Sequence, residues 1–454
     1  MKIHFVNHAS VIVETRGERI LFDPWIEGRI FNEGWDLLCE TPLRYEDFAD
    51  LTRIWFSHEH PDHFNPPNLR EIPEETRSKL DILYRRTKDG RVVDFCRKLG
   101  FRSVEEIPAA EWVEIAPGLR MMCAPYGEDS WIALDDGDSR LLNLNDCELE
   151  NRAHAEAIRE KVGTVDLLMT QFSYASWAGV DGQERRATAR RILERVAMQA
   201  EVFEASWVLP FASFVWFCLP DNAQNNDGMN RVGDVARFIR EETAASPVIL
   251  YPEDEWTVGE AHEPSKAIAR YEERYDALDA GQLETAPPPK SCTEEELFEA
   301  GEKFRRSNVD VSNRFLLRGY LAKMNADSRA RLAGREHASS LSALSFAVRH
   351  PKIWVSDLGQ SYSLSASRGL RRLADSEADC DMTMASDSLR YALNLGWGSE
   401  TLEINARYST PSVAHRYPFF DQFRPARRLD HGYAQLQFRA LVPRLLGRLT
   451  GRSG

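Results

Sequence analysis

No two cysteines in this chain are separated by two residues, and none stands two residues before a histidine. The seven that occur, Cys39, Cys96, Cys123, Cys147, Cys218, Cys292 and Cys380, are odd in number and widely scattered. That argues against a disulfide framework and makes a cytosolic protein with free thiols the simplest expectation. A Rieske cluster needs two Cys and two His at close spacing, so none is encoded in this stretch. Apolar runs are short, and no transmembrane helix is readable. The first ten residues lack a basic segment followed by an apolar one, so no secretory signal is expected. No G-x-G-x-x-G follows a strand and no G-x-x-x-x-G-K-[ST] is present, which leaves Rossmann and P-loop nucleotide sites unsupported. Internal repeats and low-complexity tracts are absent as well.

What remains is ordinary in bulk. The chain has 454 residues, 43% apolar and 28% charged, a composition that folds into a packed core. At about 150 residues per domain the length suggests two or three domains. Acidic residues outnumber basic ones, 71 to 57, for a formal charge of −14. That balance argues against nucleic-acid binding as the main task.

Residues 1–25 read as a β-hairpin that leads to Asp23-Pro24-Trp25. Ile54-Trp55-Phe56 is a buried strand that stops at the polar loop Ser57 to Pro67. Strands follow at about 119–123 and 131–144, with Asp136-Gly137 as the turn signal. Val165–Met169 and Trp207–Phe211 are further buried strands, and helical stretches lie near 70–80, 89–99 and 151–161. The alternation predicts a layered α/β domain over residues 1–260. A charged helical connector, interrupted by Pro287-Pro288-Pro289, spans 261–330, and a smaller α+β domain spans 331–454. In that last region Asp381–Met384 and Thr401–Ala406 read as strands, with a helix from Ser386 to Leu395 between them. Tyr433 to Leu449 reads as an amphipathic helix carrying Arg439, Arg444 and Arg448, with packing against the body favoured over a membrane or acidic partner.

Histidine is scarce, 11 in all, yet three fall within Ser57-His58-Glu59-His60-Pro61-Asp62-His63. An HxHxDH pattern should arise by chance about once in some thousand chains of this length. Imidazoles suit zinc and iron, and a carboxylate adds a hard anionic donor. In an extended segment His58 and His60 project to one side. Asp62 and His63 then serve an adjacent position and are the candidate catalytic pair.

The order His8-Ala9-Ser10-Val11, Ile20 to Trp25 and the HxHxDH loop resembles the metallo-β-lactamase superfamily. The resemblance implies an αββα sandwich and makes Asp146, in Leu142-Asn143-Leu144-Asn145-Asp146-Cys147, the carboxylate that bridges two metals. Asp23-Pro24-Trp25, Gly34-Trp35, the Asn-Asp-Cys strand and Pro210 to Phe214 are similar to one branch in particular. That branch holds the CMP-N-acetylneuraminate hydroxylases and the mycobacterial UDP-N-acetylmuramate hydroxylases. The resemblance is strong over residues 1–230 and weak after 330, where Ser386 to Tyr391 and Trp397 to Tyr408 match in style.

Two histidines of the superfamily pattern are missing. One would precede the Asp-bearing strand, where this chain has Ala124 to Ser130. The other would fall near Phe217 to Asn222. Glu128 or Asp129 offers a carboxylate in the first place, which gives an oxygen-rich site better suited to iron than to zinc.

The resemblance therefore implies an iron oxygenase holding one or two Fe on His58, His60, Asp62, His63, Asp146 and Glu128. Its substrate would be an N-acyl sugar nucleotide or related small molecule. Its electrons would come from a separate ferredoxin-type electron-transfer protein. The competing expectations are a Zn-dependent hydrolase of a lactone or phosphodiester, and a non-catalytic metal-binding protein. Gln171, Tyr174, Trp177, Asn222, Asn225 and Asn226 lie in loops that suit ligand contacts. His8, beside a strand, reads equally as a support of the metal loop from behind or as a satisfied core histidine.

Overall fold

The computed structural model describes residues 1–310, 312–333 and 348–430. The helix expected over 433–449 lies outside these residues. The chain divides into two compact units. One holds residues 1–178, 182–218 and 223–286; the other holds 179–181, 219–222 and the residues from 287 on.

The first unit is built on two seven-stranded sheets. In one sheet the order is Glu255–Thr257, Lys2–Asn7, Ser10–Thr15, Glu18–Phe22, Arg53–Phe56, Asp81–Arg85 and Ser103–Ile107. Glu18–Phe22, Arg53–Phe56, Asp81–Arg85 and Ser103–Ile107 run parallel, and the remainder are antiparallel. In the other sheet the order is Ser246–Pro247, Trp207–Phe211, Leu167–Gln171, Arg140–Asn143, Asp129–Asp135, Leu119–Tyr126 and Val113–Ala116.

Alternation along the strands sorts side chains between two cores. Ile20, Phe22 and Trp55 face inward and pack with Met122, Ala133, Leu142 and Met169 of the other sheet. Leu21, Ile54 and Phe56 face the opposite way and pack under Leu69, Val92, Val93 and Cys96 of the covering helices. On the far side, Ala155 and Ile158, Leu193 and Val196, and Val235 and Ile239 bring three helices onto the second sheet. The unit is the αββα sandwich that the resemblance implied.

The second unit is a four-stranded sheet, in the order Gly369–Arg372, Gln360–Ser365, Lys352–Val355 and Met382–Met384, with helices against it. The helix Glu294–Val309 lies so close to the edge strand that a Cβ on Gly301 would stand 2.7 Å from Leu370. The segment expected as a strand over 401–406 is instead part of a helix, Gly398–Asn405. Its buried positions, Gly398, Ser399, Thr401, Leu402 and Asn405, recur at helical spacing. The apparent alternation of Leu402, Ile404 and Ala406 was a poor guide, because Ile404 is only partly buried.

Candidate metal centre

The loop that carries the histidines follows the strand Arg53–Phe56 and ends where Asn65 caps a short helix, Pro66–Glu71. The Asn65 side chain accepts from the Asn68 amide, and Pro66 and Pro67 occupy the first helical positions, where a missing N–H costs nothing. Inside the loop the amides of His63 and Phe64 both donate to the His60 carbonyl, which draws the chain into a tight turn. Phe64 then packs edge-on against Phe56, with ring centroids 5.0 Å apart, and ties the turn to the core.

This backbone brings the imidazoles together. Nε2 of His58 lies 2.8 Å from Nδ1 of His60 and 3.3 Å from Oδ1 of Asp129. Nε2 of His63 faces two carboxylates, at 3.3 Å from Oδ2 of Asp62 and 3.2 Å from Oδ2 of Asp146. Three overlapping groups result, each with its donor atoms within 4.8 Å of one another: His58, His60 and Asp129; His58, His63 and Asp146; His8, Asp62 and His63.

The structure distinguishes the two acidic neighbours. The strands Leu119–Tyr126 and Asp129–Asp135 are joined by Gly127-Glu128, with Gly127 in the left-handed region at φ 68°. Glu128 sits at the tip of this hairpin and is exposed, its carboxylate within 4.8 Å of His60. Asp129 opens the returning strand and completes the group with His58 and His60. The inner carboxylate is therefore Asp129, with Glu128 at the rim.

A second ring of residues holds the first. Asp23 is wholly buried and held in the left-handed region at φ 42° by the turn after Glu18–Phe22. Its Oδ1 accepts from the Ser57 amide at 2.7 Å, and its Oδ2 accepts from the Ser57 hydroxyl at 2.7 Å and from Nδ1 of His63 at 2.8 Å. A carboxylate behind an imidazole in this way fixes the tautomer and turns Nε2 toward the centre. Nothing in the sequence assigned this role to Asp23, although its place directly after a buried strand in Asp-Pro-Trp was a signal. His8 is also wholly buried. Its Nδ1 accepts from the Phe214 amide at 3.2 Å, so the proton is on Nε2, which donates to Oδ2 of Asp62 at 3.4 Å. With that tautomer His8 orients Asp62 and is not itself a ligand.

Asp23→Ala is expected to weaken metal binding by about 10–100-fold, because His63 loses the group that aims it. Affinity measured by competition with a chelator checks this, and an unchanged affinity would contradict it.

The chemistry of the donor set fits a cation. Three carboxylates, Asp62, Asp129 and Asp146, converge with three imidazoles, and isolated charges of one sign are costly in an interior. Oδ1 of Asp62 is buried without any hydrogen-bond partner, a condition that native interiors avoid unless an ion or water satisfies the atom. Burial, joined by the neighbouring His63 and His60, holds His58 well below the usual histidine range, in the neutral form that ligates. Burial would also lower His63, but Asp62, Asp146 and Asp23 outweigh it and push it well above that range. Burial and Asp146 push Asp129 up to about 7.

The remaining candidates divide. Gln171, at the end of the strand Leu167–Gln171, donates from Nε2 to Oδ1 of Asp146 at 3.2 Å and so joins the centre. The Tyr174 hydroxyl donates to the Asn225 carbonyl. The Asn226 side chain bonds both the amide and the carbonyl of Phe217, at 2.9 and 3.0 Å. The Asn222 side chain accepts from the Leu219 amide at 2.9 Å. Tyr174, Asn222 and Asn226 therefore hold loops in shape. Trp177 is not among the groups of donor atoms brought together at the centre.

Residues 2–168 match the beta-lactamase superfamily domain. Over 249 residues the chain is 26% identical to a Mycolicibacterium smegmatis protein that bears the name Rieske 2Fe-2S iron-sulfur protein, covering 50% of this chain and 46% of that one. It is 28% identical over 158 residues to the cytidine monophosphate-N-acetylneuraminic acid hydroxylase of Xenopus laevis, covering 33% of this chain and 26% of that enzyme. The chain thus spans less than half the length of these curated relatives. Among solved structures, CmlA, a diiron β-hydroxylase from Streptomyces venezuelae, superposes with a TM-score of 0.39 at 16% identity, covering 56% of this chain and 53% of that chain. An isothiocyanate hydrolase from Delia radicum gut bacteria superposes with a TM-score of 0.41 at 13% identity, covering 57% of this chain and 98% of that chain.

Proposed function

From a chain whose residues 2–168 match the beta-lactamase superfamily domain, we propose an iron-dependent oxygenase. It hydroxylates an N-acyl sugar nucleotide or a related small metabolite and takes electrons from a separate ferredoxin-type protein. The observation that carries this reading is the donor set. Asp129 stands with His58 and His60 where the superfamily pattern would have a third histidine, and Asp62 and Asp146 add two more carboxylates. Equal numbers of oxygen- and nitrogen-donating side chains suit iron better than zinc. The hydroxylase name borne by the Xenopus laevis relative supports the same direction.

Iron held there would supply redox chemistry toward O₂. The chain's own residues do the holding and aiming. His58, His60 and Asp129 would hold one ion, and His63, which faces both Asp62 and Asp146, would hold the same ion or a second one. Asp23 and His8 fix the orientation of His63 and Asp62. The seven cysteines are all free and buried. No described helix is long and apolar enough to cross a membrane.

Elemental analysis of the purified chain is expected to give about one or two Fe per chain, the number a shared-carboxylate site accommodates. O₂ uptake should then require a reductant and a sugar nucleotide together. Zinc content with turnover under argon would overturn the oxygenase reading. It would favour a metal-dependent hydrolase of a lactone or phosphodiester, the alternative that the superfamily match supports.

A further inference from the structure

We propose that Gln171 and Arg195 form a two-residue positioning device that fixes which oxygen of Asp146 meets the metal. The inference rests on the metal-centre reading above and concerns residues that lie outside the ligand groups. Arg195 projects from the helix Gly182–Val202 and is only 5% exposed. Its Nη2 donates to Oε1 of Gln171 at 2.9 Å, while its Nε is buried without a partner. Among the described residues it forms no ion pair. A guanidinium buried in this way is costly, and here it is aimed at a neutral amide.

The amide has only one orientation that works. A guanidinium offers donors and no acceptor, so the Gln171 oxygen must face it. The Gln171 NH₂ then faces Asp146 and donates to Oδ1 at 3.2 Å. With Oδ1 taken, Asp146 presents Oδ2, which lies 3.2 Å from Nε2 of His63. Were the amide to flip, the oxygen of Gln171 would meet the carboxylate and its NH₂ would meet the guanidinium, two repulsive contacts in place of two bonds. Arg195 thus acts on Asp146 through Gln171.

The same helix braces the region one turn further on. Gln199, four residues after Arg195, accepts from the Thr170 hydroxyl at 2.8 Å and donates to the Leu149 carbonyl at 3.2 Å. Arg195 and Gln199 therefore grip the end of the strand Leu167–Gln171 and the loop that follows Asp146 together. Asn145, beside Asp146, is held in the left-handed region at φ 46°, a conformation that needs such support.

The test is a double-mutant cycle read by metal affinity. Gln171→Leu, Arg195→Met and the double variant are titrated with Co²⁺ against a chromophoric chelator, and the visible spectrum of bound Co²⁺ is recorded. Each single variant is expected to bind about 10–100-fold more weakly than the unaltered chain, with shifted bands. The double variant is expected to be no weaker than Gln171→Leu alone, since the hydrogen-bonded path from Arg195 to Asp146 runs through that residue. Melting of the metal-free proteins separates this from a general loss of fold, and Arg195→Lys, which keeps the charge without the planar fork, replaces Arg195→Met if that variant does not fold. Affinities and spectra equal to those of the unaltered chain would overturn the device. So would losses that multiply in the double variant. Failure of the unaltered chain to take up Co²⁺ would overturn the metal-centre reading and this inference with it.

Discussion

Replacing His58 and His60 together with alanine is expected to leave the purified chain without stoichiometric metal. The two rings meet at 2.8 Å and share Asp129 as their carboxylate partner. Their removal takes away every nitrogen donor of that group and two of the three imidazoles in the loop. What remains is Asp129 near Asp62, His63 and Asp146, a collection of carboxylates with one imidazole. The loss should exceed the ~10–100-fold that changes to residues behind the ligands typically cost. The fold should persist. The loop is anchored by Phe64 against Phe56 and by the Asn65 cap, neither of which involves the two histidines. Elemental analysis beside a circular dichroism spectrum reads both. Unchanged metal content in a folded double variant would mean that the site is wrongly assigned.

The parts of this centre that were legible in the sequence are those whose residues lie close together in it. His58, His60, Asp62 and His63 fall within six positions, and a strand followed by a tight turn suffices to gather them. Asp146 was reached through resemblance, since nothing local distinguishes it from a turn residue. The choice between Glu128 and Asp129 was not legible. It depends on which of two adjacent residues sits at the hairpin tip, a matter of one position of register that reverses the side-chain direction. Gln171 was a candidate by its place after a strand, but its pairing with Arg195 was harder still. The two are 24 residues apart, on a strand and a helix, and only packing brings them together.

The layered α/β domain was legible because its strands are strongly apolar, and the αββα sandwich was reached through resemblance; which core each residue of a run such as Ile20, Leu21 and Phe22 enters is decided only by packing. The error at 401–406 came from a short segment in which two periods fit nearly as well. There the deciding fact was burial of Ser399, Thr401 and Asn405, polar residues that no hydrophobic pattern reveals.

Arg407, just after that helix, carries the largest stability effect expected outside the metal centre. It is 1% exposed and forms a fork with Asp387, Nη1 to Oδ2 at 2.7 Å and Nη2 to Oδ1 at 3.1 Å. Its remaining edge meets Asp221, with Nε 3.1 Å and Nη2 3.0 Å from the carboxylate oxygens. Burial alone would lower its pKa, but hydrogen bonds to Asp387 and Asp221 outweigh that and raise it, so it is charged throughout the accessible range. The two aspartates are not equivalent. Asp387 is 9% exposed on its side chain and Asp221 is 38% exposed, so water can compensate the second and not the first. Arg407→Met keeps most of the volume and removes the charge, taking from the buried Asp387 carboxylate the guanidinium fork that faces it. Removing one member of a buried pair costs about 3–5 kcal/mol, because an uncompensated charge is left behind. Urea unfolding of the full chain is expected to show a destabilised transition of that size. Arg407→Met combined with Asp387→Leu should recover much of the loss, since an apolar pair in the same space carries no stranded charge. A single variant as stable as the unaltered chain would show that solvent reaches Asp387 and that this pair contributes no more than a surface contact, typically ~0–1 kcal/mol.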